Sequence, residues 1–288
     1  MMSRNYYCLV AGLPDLIPDD KKLHFSSAGL RDYLAEELHP DDFEMVKLFY
    51  LPWDHDNLLS LLFKTGKDFD PRGNFPADQL EQLCDKKQFE TIDTSLFPAY
   101  FIDFINFYHD EEEETTISAC TSYLNEAWFS LLQNHSSAFL NQFARYKLSM
   151  GNILLALNGR KHNLPYDEGL MGNDEITHAL RKSRSRDFGL STEVTEIEEI
   201  IQIFETENIL ERELRLANHF WQYLDEITFF NYFTAERILA FVQKLFIAER
   251  WYHLNKEKGQ EIFTRLLQEL QSNFEFPEEF ALTYGKRN

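Results

Sequence analysis

The sequence predicts a mainly α protein, an elongated multi-lobe helical bundle with minor irregular or strand content near the N-terminus. Three observations carry that expectation. Seven of the nine prolines fall between Pro14 and Pro98, whereas residues 99–150 and 190–258 contain neither proline nor glycine. These two uninterrupted stretches repeat apolar residues with the period of an α-helix. Finally, 44% hydrophobic and 15% aromatic residues supply ample apolar area for a packed interior, too much for a disordered acidic chain.

In chain order, residues 1–98 read as a mixed or helical segment packed on the main body. Tyr6–Ala11 and Met45–Leu51 have the aromatic and β-branched content of short buried segments, irregular or strand. Ser27–Leu38 and Asp56–Lys64 read as helices. The second has Asp54 or Asp56 placed to cap its first turn, and Leu58, Leu61 and Leu62 on its apolar side. Residues 99–158 form a helical module. Within it Phe139, Phe143, Tyr146, Met150, Ile153 and Leu157 alternate spacings of four and three, one stripe on a helix from about Ser136 to Leu157. Asn158 and Gly159 suit its C-cap, and Gly151 weakens its middle or admits another backbone.

Residues 159–189 read as a linker or excursion, with Gly159, Gly169, Gly172, Gly189, Pro165 and the basic group Arg181, Lys182, Arg184 and Arg186. Residues 190–276 form a long-helix module with three stripes. The first is Leu210, Leu214, Ala217, Trp221 and Leu224. The second is Ile238, Phe241 or Val242, Leu245 and Ala248 or Glu249, on a helix that Thr234 can cap near Glu236. The third is Ile262, Phe263, Leu266, Leu267 and Leu270. The two helical modules are similarly built, as divergent copies would be. Residues 277–288 remain as a C-terminal tail.

Against 28 Lys and Arg stand 48 Asp and Glu, a formal charge of −20. That balance counts against nucleic acid or an anionic lipid surface as partner and favours a basic protein. Cys8, Cys84 and Cys120 are odd in number and far apart, so the reading is buried free thiols, neither a disulfide framework nor a thiolate metal site. The apolar run Tyr6–Leu13 is too short for a secretory signal, and no stretch approaches the roughly 20 apolar residues that span a bilayer. The expectation is a cytoplasmic chain without direct membrane insertion, peripheral to a membrane only through partner subunits.

No phosphate-binding glycine loop, nucleophile elbow, HExxH motif or calcium loop appears. Glu175 and His178 form an ExxH that would share one helix face, but a di-iron bundle needs a second copy and two further helical carboxylates. Asp54, His55 and Asp56 read as a helix cap followed by a surface histidine, and Glu249 with His253 as an i,i+4 polar pair. The expectation is therefore a non-enzyme with no catalytic residue, cofactor or metal. Trp128, Trp221 and Trp251 read as core. Three groups stand out as partner-binding candidates: the basic Arg181, Lys182, Arg184 and Arg186; the acidic Asp110, Glu111, Glu112, Glu113 and Glu114; and the aromatic Phe229, Phe230, Tyr232 and Phe233, which cannot all share one helix face.

Glu211, Arg212, Glu213, Leu214, Trp221, Leu224 and Asp225, followed by Ala240, Phe241, Lys244, Glu249 and Arg250, give a pattern that resembles the central-stalk adaptor subunit of V-type and A-type rotary ATPases, called C in prokaryotes and d in eukaryotes. The opening Tyr6-Tyr7-Cys8-Leu9-Val10-Ala11-Gly12-Leu13-Pro14-Asp15 is similar to the start of an uncharacterised bacterial family associated with V-type ATP synthase genes. The helical resemblance covers about residues 100–275. It implies a funnel-like helical protein, here incomplete because the chain is shorter than that subunit and its first third is rich in proline. It also implies a non-catalytic role, coupling the central-stalk subunits to the membrane proteolipid ring. A general helical scaffold or regulator outside the ATPase is the alternative, and a metal-dependent enzyme a distant third.

Overall fold

The computed structural model describes residues 4–18, 23, 25–110 and 115–254. Among these, every regular element is helical: the chain is an elongated, mainly α multi-helix bundle with no β-sheet. The expected irregular or strand segments are helices instead. Tyr6–Ala11 lies on α1 (Tyr7–Gly12), and Met45–Leu51 straddles a corner between two later helices. The reason is local. Pro40 and Pro52 occupy first-turn positions, where a fixed φ and a missing N–H suit a helix start. The apolar group Val46, Phe49, Tyr50 and Leu51 is buried by the bend between helices rather than by a pleated partner.

Helix α2 (Ser27–Glu37) starts at Ser26, whose side chain accepts the Gly29 N–H, and α3 (Pro40–Leu48) starts at His39. Helix α4 (Leu51–Phe63) begins five residues earlier than the sequence suggests, so Asp54 lies inside its first turn instead of capping it. Short helices α5 (Ala77–Cys84) and α6 (Lys86–Phe89) lead to α7 (Ala99–Asp110), then to α8 (Ile117–Gln133), capped by Thr116. Helix α9 (Ala138–His162) runs past the expected stop at Asn158–Gly159 and ends at Asn163, in the left-handed conformation with φ 53°. Gly159 stays helical for a packing reason: a Cβ there would stand 2.3 Å from a ring carbon of Tyr166.

The excursion 159–189 is itself folded. It carries α10 (Glu175–Lys182), started by a reciprocal Asp174–Thr177 capping box, and buries Leu170, Leu180 and Phe188. Then follow α11 (Ile197–Phe204), α12 (Ile209–Ile227), capped by Asn208, and α13 (Ala235–His253), with Thr234 at its N-cap position. The Thr234 hydroxyl bonds the Glu236 carboxylate rather than a backbone N–H. The stripe at Ile262, Phe263, Leu266, Leu267 and Leu270 and the tail 277–288 lie outside the described residues.

Two apolar cores share α9. Its first half contributes Phe139, Leu140, Phe143 and Ala144 to a large core with α1–α5, α7, α8, α12 and α13. Its second half contributes Ile153, Ala156 and Leu157 to a smaller core with Leu180 of α10, Phe188, Leu190 and the Ile197, Ile200, Ile201, Phe204 face of α11. At 1.5 Å per residue its 25 residues make a strut of about 37 Å. Among the described residues, no helix is long and apolar enough to cross a membrane.

Candidate functional site

The four sequence-derived aromatic candidates converge on one end of the bundle. The α12 helix stops at Thr228, whose hydroxyl donates to the Leu224 carbonyl at 2.6 Å, and the chain turns back into α13 within a few residues. That tight reversal leaves Phe229, Phe230, Tyr232 and Phe233 nowhere inward to go. They are 63, 84, 63 and 37% exposed. Phe229 and Phe230 pack edge to face at 4.9 Å. Helix α1 joins them from the far end of the chain: the Tyr6 N–H donates to the Phe233 carbonyl at 2.6 Å, and the Tyr7 ring, 58% exposed, lies 4.8 Å from Phe233. Tyr6 is pinned in turn, its hydroxyl donating to Asp42 of α3, which with Asp41 also holds Arg4. Burial and the Asp42 bond raise the Tyr6 pKa to about 12, so it stays a donor. Tyr7 was missed as part of this surface because only long-range folding brings residue 7 to residue 233.

The other candidates are scattered. Arg186 is paired with Glu198 at 2.7 Å and with Glu205 at 3.2 Å, which raises its pKa, while Arg181 donates to the Leu170 carbonyl at 3.4 Å. Lys182 and Arg184 are exposed, so half of the basic group is used within the fold and half faces water. Asp110 ends α7 on the surface; Glu111, Glu112, Glu113 and Glu114 lie outside the described residues. Glu175 and His178 are both exposed on α10. Among the described residues, no group of three or more His, Cys, Asp or Glu side chains is arranged to hold a metal ion. Of the cysteines, Cys120 is buried and Cys84 half-buried, its thiol pushed up to about 12 by burial, but Cys8 is exposed, contrary to the expectation.

The Asp54-His55-Asp56 run also differs from its sequence reading. Asp54 and His55 are buried, at 0 and 4% exposure, and only Asp56 is at the surface, paired with Lys67 at 2.9 Å. The Asp54 carboxylate accepts from the Asn74 N–H, the Asn74 amide and the Phe75 N–H at 2.9–3.1 Å. It thereby latches the 65–76 loop onto α4. Asn57 completes the latch by exchanging two bonds with the Asp70 backbone at 2.8 and 2.9 Å, and Arg31 donates to the Arg72 carbonyl at 2.8 Å. Burial raises the Asp54 pKa to about 6 against the opposing donors, and burial lowers that of His55 to about 3. His55 Nε2 lies 2.6 Å from the Tyr100 hydroxyl.

The residues that carry the resemblance to the stalk adaptor are used in helix packing. Asp225 pairs with Lys244 at 2.6 Å and Arg237 at 3.3 Å, and the Lys244 ammonium sits 4.8 Å over the Trp221 ring. Arg250 pairs with Glu213 at 3.1 Å. Glu249 is buried and accepts the Ser27 N–H of α2 at 3.1 Å. Of the tryptophans, Trp128 is core and donates to the Leu48 carbonyl at 2.8 Å, whereas Trp221 and Trp251 are only half-buried.

Sequence reasoning also missed a groove of ≈ 390 Å³ between α9 and α13, floored by α12. Met150 and Leu154 form one wall, Phe246, Ile247 and Trp251 the other, and Leu216, Ala217 and Phe220 the floor. Lys147 stands at its edge, its ammonium 4.8 Å over the Phe220 ring. Desolvation against the apolar lining, with the nearby Arg250 charge, lowers the Lys147 pKa. No local pattern announces this groove, because its three sides are far apart in sequence.

Fold and surface together define an all-helical bundle whose most unusual surface is aromatic rather than a convergent set of reactive groups. A family model described as a protein of unknown function, DUF2764, matches residues 2–274, and the chain belongs to that family. Neither the curated proteins nor the solved structures contain a match.

Proposed function

We propose that the chain is a non-catalytic helical scaffold that docks a protein partner through the aromatic turn between α12 and α13. The observation that carries this reading is the set of exposed rings at Tyr7, Phe229, Phe230, Tyr232 and Phe233 on one end of the bundle. Covering a large apolar side chain yields about 1.5–3 kcal/mol, so a few such rings suffice for a specific interface. The charge of −20 over the chain favours a partner with a basic rim. The buried Asp54 and His55, an acid and a base shifted in opposite directions by burial, serve to hold a loop and a helix, which supports a non-catalytic role.

The finer reading follows the sequence resemblance: the partner is a subunit of a V/A-type rotary ATPase, and the chain joins the central stalk to the proteolipid ring. It draws on the opening Tyr6–Asp15, whose Tyr6 and Tyr7 meet Phe233 of the aromatic turn.

The test is recovery of partners from gently solubilised membranes with the full-length chain and with Phe229→Ser/Phe230→Ser. A stoichiometric partner bound by the parent and held at least ~10-fold more weakly by the variant, with unchanged helical content, supports docking at the turn. Rotor subunits as that partner support the ATPase reading; a different stoichiometric partner removes it and leaves the scaffold. Equal retention by both chains overturns the aromatic turn as the docking surface.

A further inference from the structure

We propose that Ser185 is a phosphorylation site, and that a phosphate there takes Arg186 away from α11 and loosens the lobe formed by α10 and α11. The sequence supplies the recognition. Residues 181–186 read Arg-Lys-Ser-Arg-Ser-Arg, four cations in six positions of a chain of charge −20, and Ser185 has Arg184 and Arg186 on either side and Lys182 three positions before it. A protein serine kinase that selects basic residues reads such a flank by pairing it with its own carboxylates. The fold supplies access and separates the two hydroxyls. Helix α10 ends at Lys182, and Lys182, Arg184, Ser185 and Arg186 are all exposed at its end and on the turn that follows. Ser183 is half-buried at the C-cap of α10, and its Oγ accepts the Ser185 N–H at 3.3 Å. A phosphate at that position would also oppose the dipole of the helix end, so Ser185 is the better acceptor.

In the step itself the Ser185 oxygen attacks the γ-phosphorus of ATP held by the kinase. The Oγ–P bond forms, the bond from that phosphorus to the β–γ bridging oxygen breaks, ADP leaves, and the hydroxyl proton passes to the kinase's base. The consequence follows from what Arg186 does beforehand. Its guanidinium bridges Glu198 at 2.7 Å and Glu205 at 3.2 Å, which tie the turn to the first turn and the C-cap of α11. A phosphoserine one residue away carries a charge of about −1.5 to −2 and three acceptor oxygens, so it competes for that guanidinium and repels both carboxylates. Arg160, bonded to the Ser185 carbonyl at 2.5 Å, holds the turn in place as Arg186 moves, and the Asp187 carboxylate beside the Ser185 hydroxyl adds to the repulsion. The inference does not depend on the scaffold reading, which uses none of these residues.

The site is tested on the full-length chain isolated from its own cells with phosphatases inhibited, mapped by mass after cleavage at Asp and Glu, which keeps 176–187 in one fragment. The expected result is one phosphoryl group on Ser185 of that fragment. A fragment without phosphate, or with it on Ser183, overturns the assignment. Amide exchange tests the consequence in the purified chain phosphorylated with ATP and an arginine-directed serine kinase. Residues Ile197–Phe204 should exchange at least ~3-fold faster than in the unmodified chain, with the slow rate restored by a phosphatase. Arg186→Gln should reproduce the faster exchange without phosphate, and Ser185→Ala should keep the slow rate after the same treatment. Exchange in α11 that is equal with and without the phosphate overturns the loosening.

Discussion

Asp54 and His55 are neighbours in the chain, both buried, and shifted in opposite directions, so their proton linkages oppose each other. His55 binds a proton below about 6.5 when unfolded but only near 3 in the fold, so by itself it makes stability fall as the pH drops below 6.5. Asp54 is protonated below about 6 in the fold but only below about 3.8 when unfolded, so by itself it makes stability rise as the pH drops through 6. Between pH 4 and 6 each linkage has a slope of up to about 1.4 kcal/mol per pH unit, and the two nearly cancel. Removing one member unmasks the other: in urea melts over pH 4–6, Asp54→Asn should lose stability with acid, and His55→Phe/Tyr100→Phe should gain it. Parallel pH profiles in all three chains would refute this account. Gly73 belongs to the same latch, because a Cβ there would sit 2.3 Å from Asp54 Oδ1. Gly73→Ala should therefore destabilise by roughly 1–3 kcal/mol through displacement of the loop, seen as a lower denaturation midpoint at unchanged m-value. None of this was legible in the sequence. The pair reads as a cap and a surface histidine because its real partners, Asn74, Phe75 and Tyr100, are 20 to 45 positions away.

Elements were more legible than residues, for a physical reason. A helix's apolar stripe is written within its own 15 or 20 residues, and Phe139, Phe143, Ile153 and Leu157 of α9, like Ile238, Val242, Leu245 and Ala248 of α13, are buried as their spacing predicts. The α12 stripe was only half right: Leu224 is buried, but Leu210 is 62% exposed and Phe220 takes the inward position. Short apolar segments failed outright, since Tyr6–Ala11 and Met45–Leu51 are too brief for a period to separate strand from helix. What one helix does for another was also invisible. Glu249 near the end of α13 accepts the Ser27 N–H at the start of α2, supplying a partner and a favourable negative charge to a helix N-terminus. Glu249→Ala should leave that buried N–H unpaired and cost about 1–3 kcal/mol, whereas Glu249→Gln keeps an acceptor and should cost less than half as much. Chemical denaturation of the two variants separates a bonding role from simple helix propensity, under which the alanine variant would be the more stable.

At the scale of the whole molecule, α9 makes the two cores mechanically continuous but not equally stable. The large core gathers buried residues from nine other helices around Phe49, Phe101, Phe104, Leu124 and Phe143, whereas the smaller one rests on α10, α11 and the Phe188 turn against α9. Phe188 is held at a φ of 58° and Gly189 at 71°, so the smaller core also contains a left-handed corner that a non-glycine residue adopts at a cost of about 1–2 kcal/mol. The Arg160 guanidinium, 3.5 Å over the Phe188 ring, and its bonds to the Ser183 and Ser185 carbonyls at 2.5 Å close that corner from the α9 side. With less apolar area and more backbone strain, residues 164–204 should open before the rest. Native-state amide exchange should show α10 and α11 exchanging through a sub-global opening well below the free energy that protects α4, α8 and the first half of α9. Leu180→Ala should lower that sub-global energy by about 2–5 kcal/mol and leave protection of α4 and α8 nearly unchanged. If protection instead falls by the same amount in every helix, the two cores unfold as one unit and α9 is a shared spine rather than a boundary between stabilities.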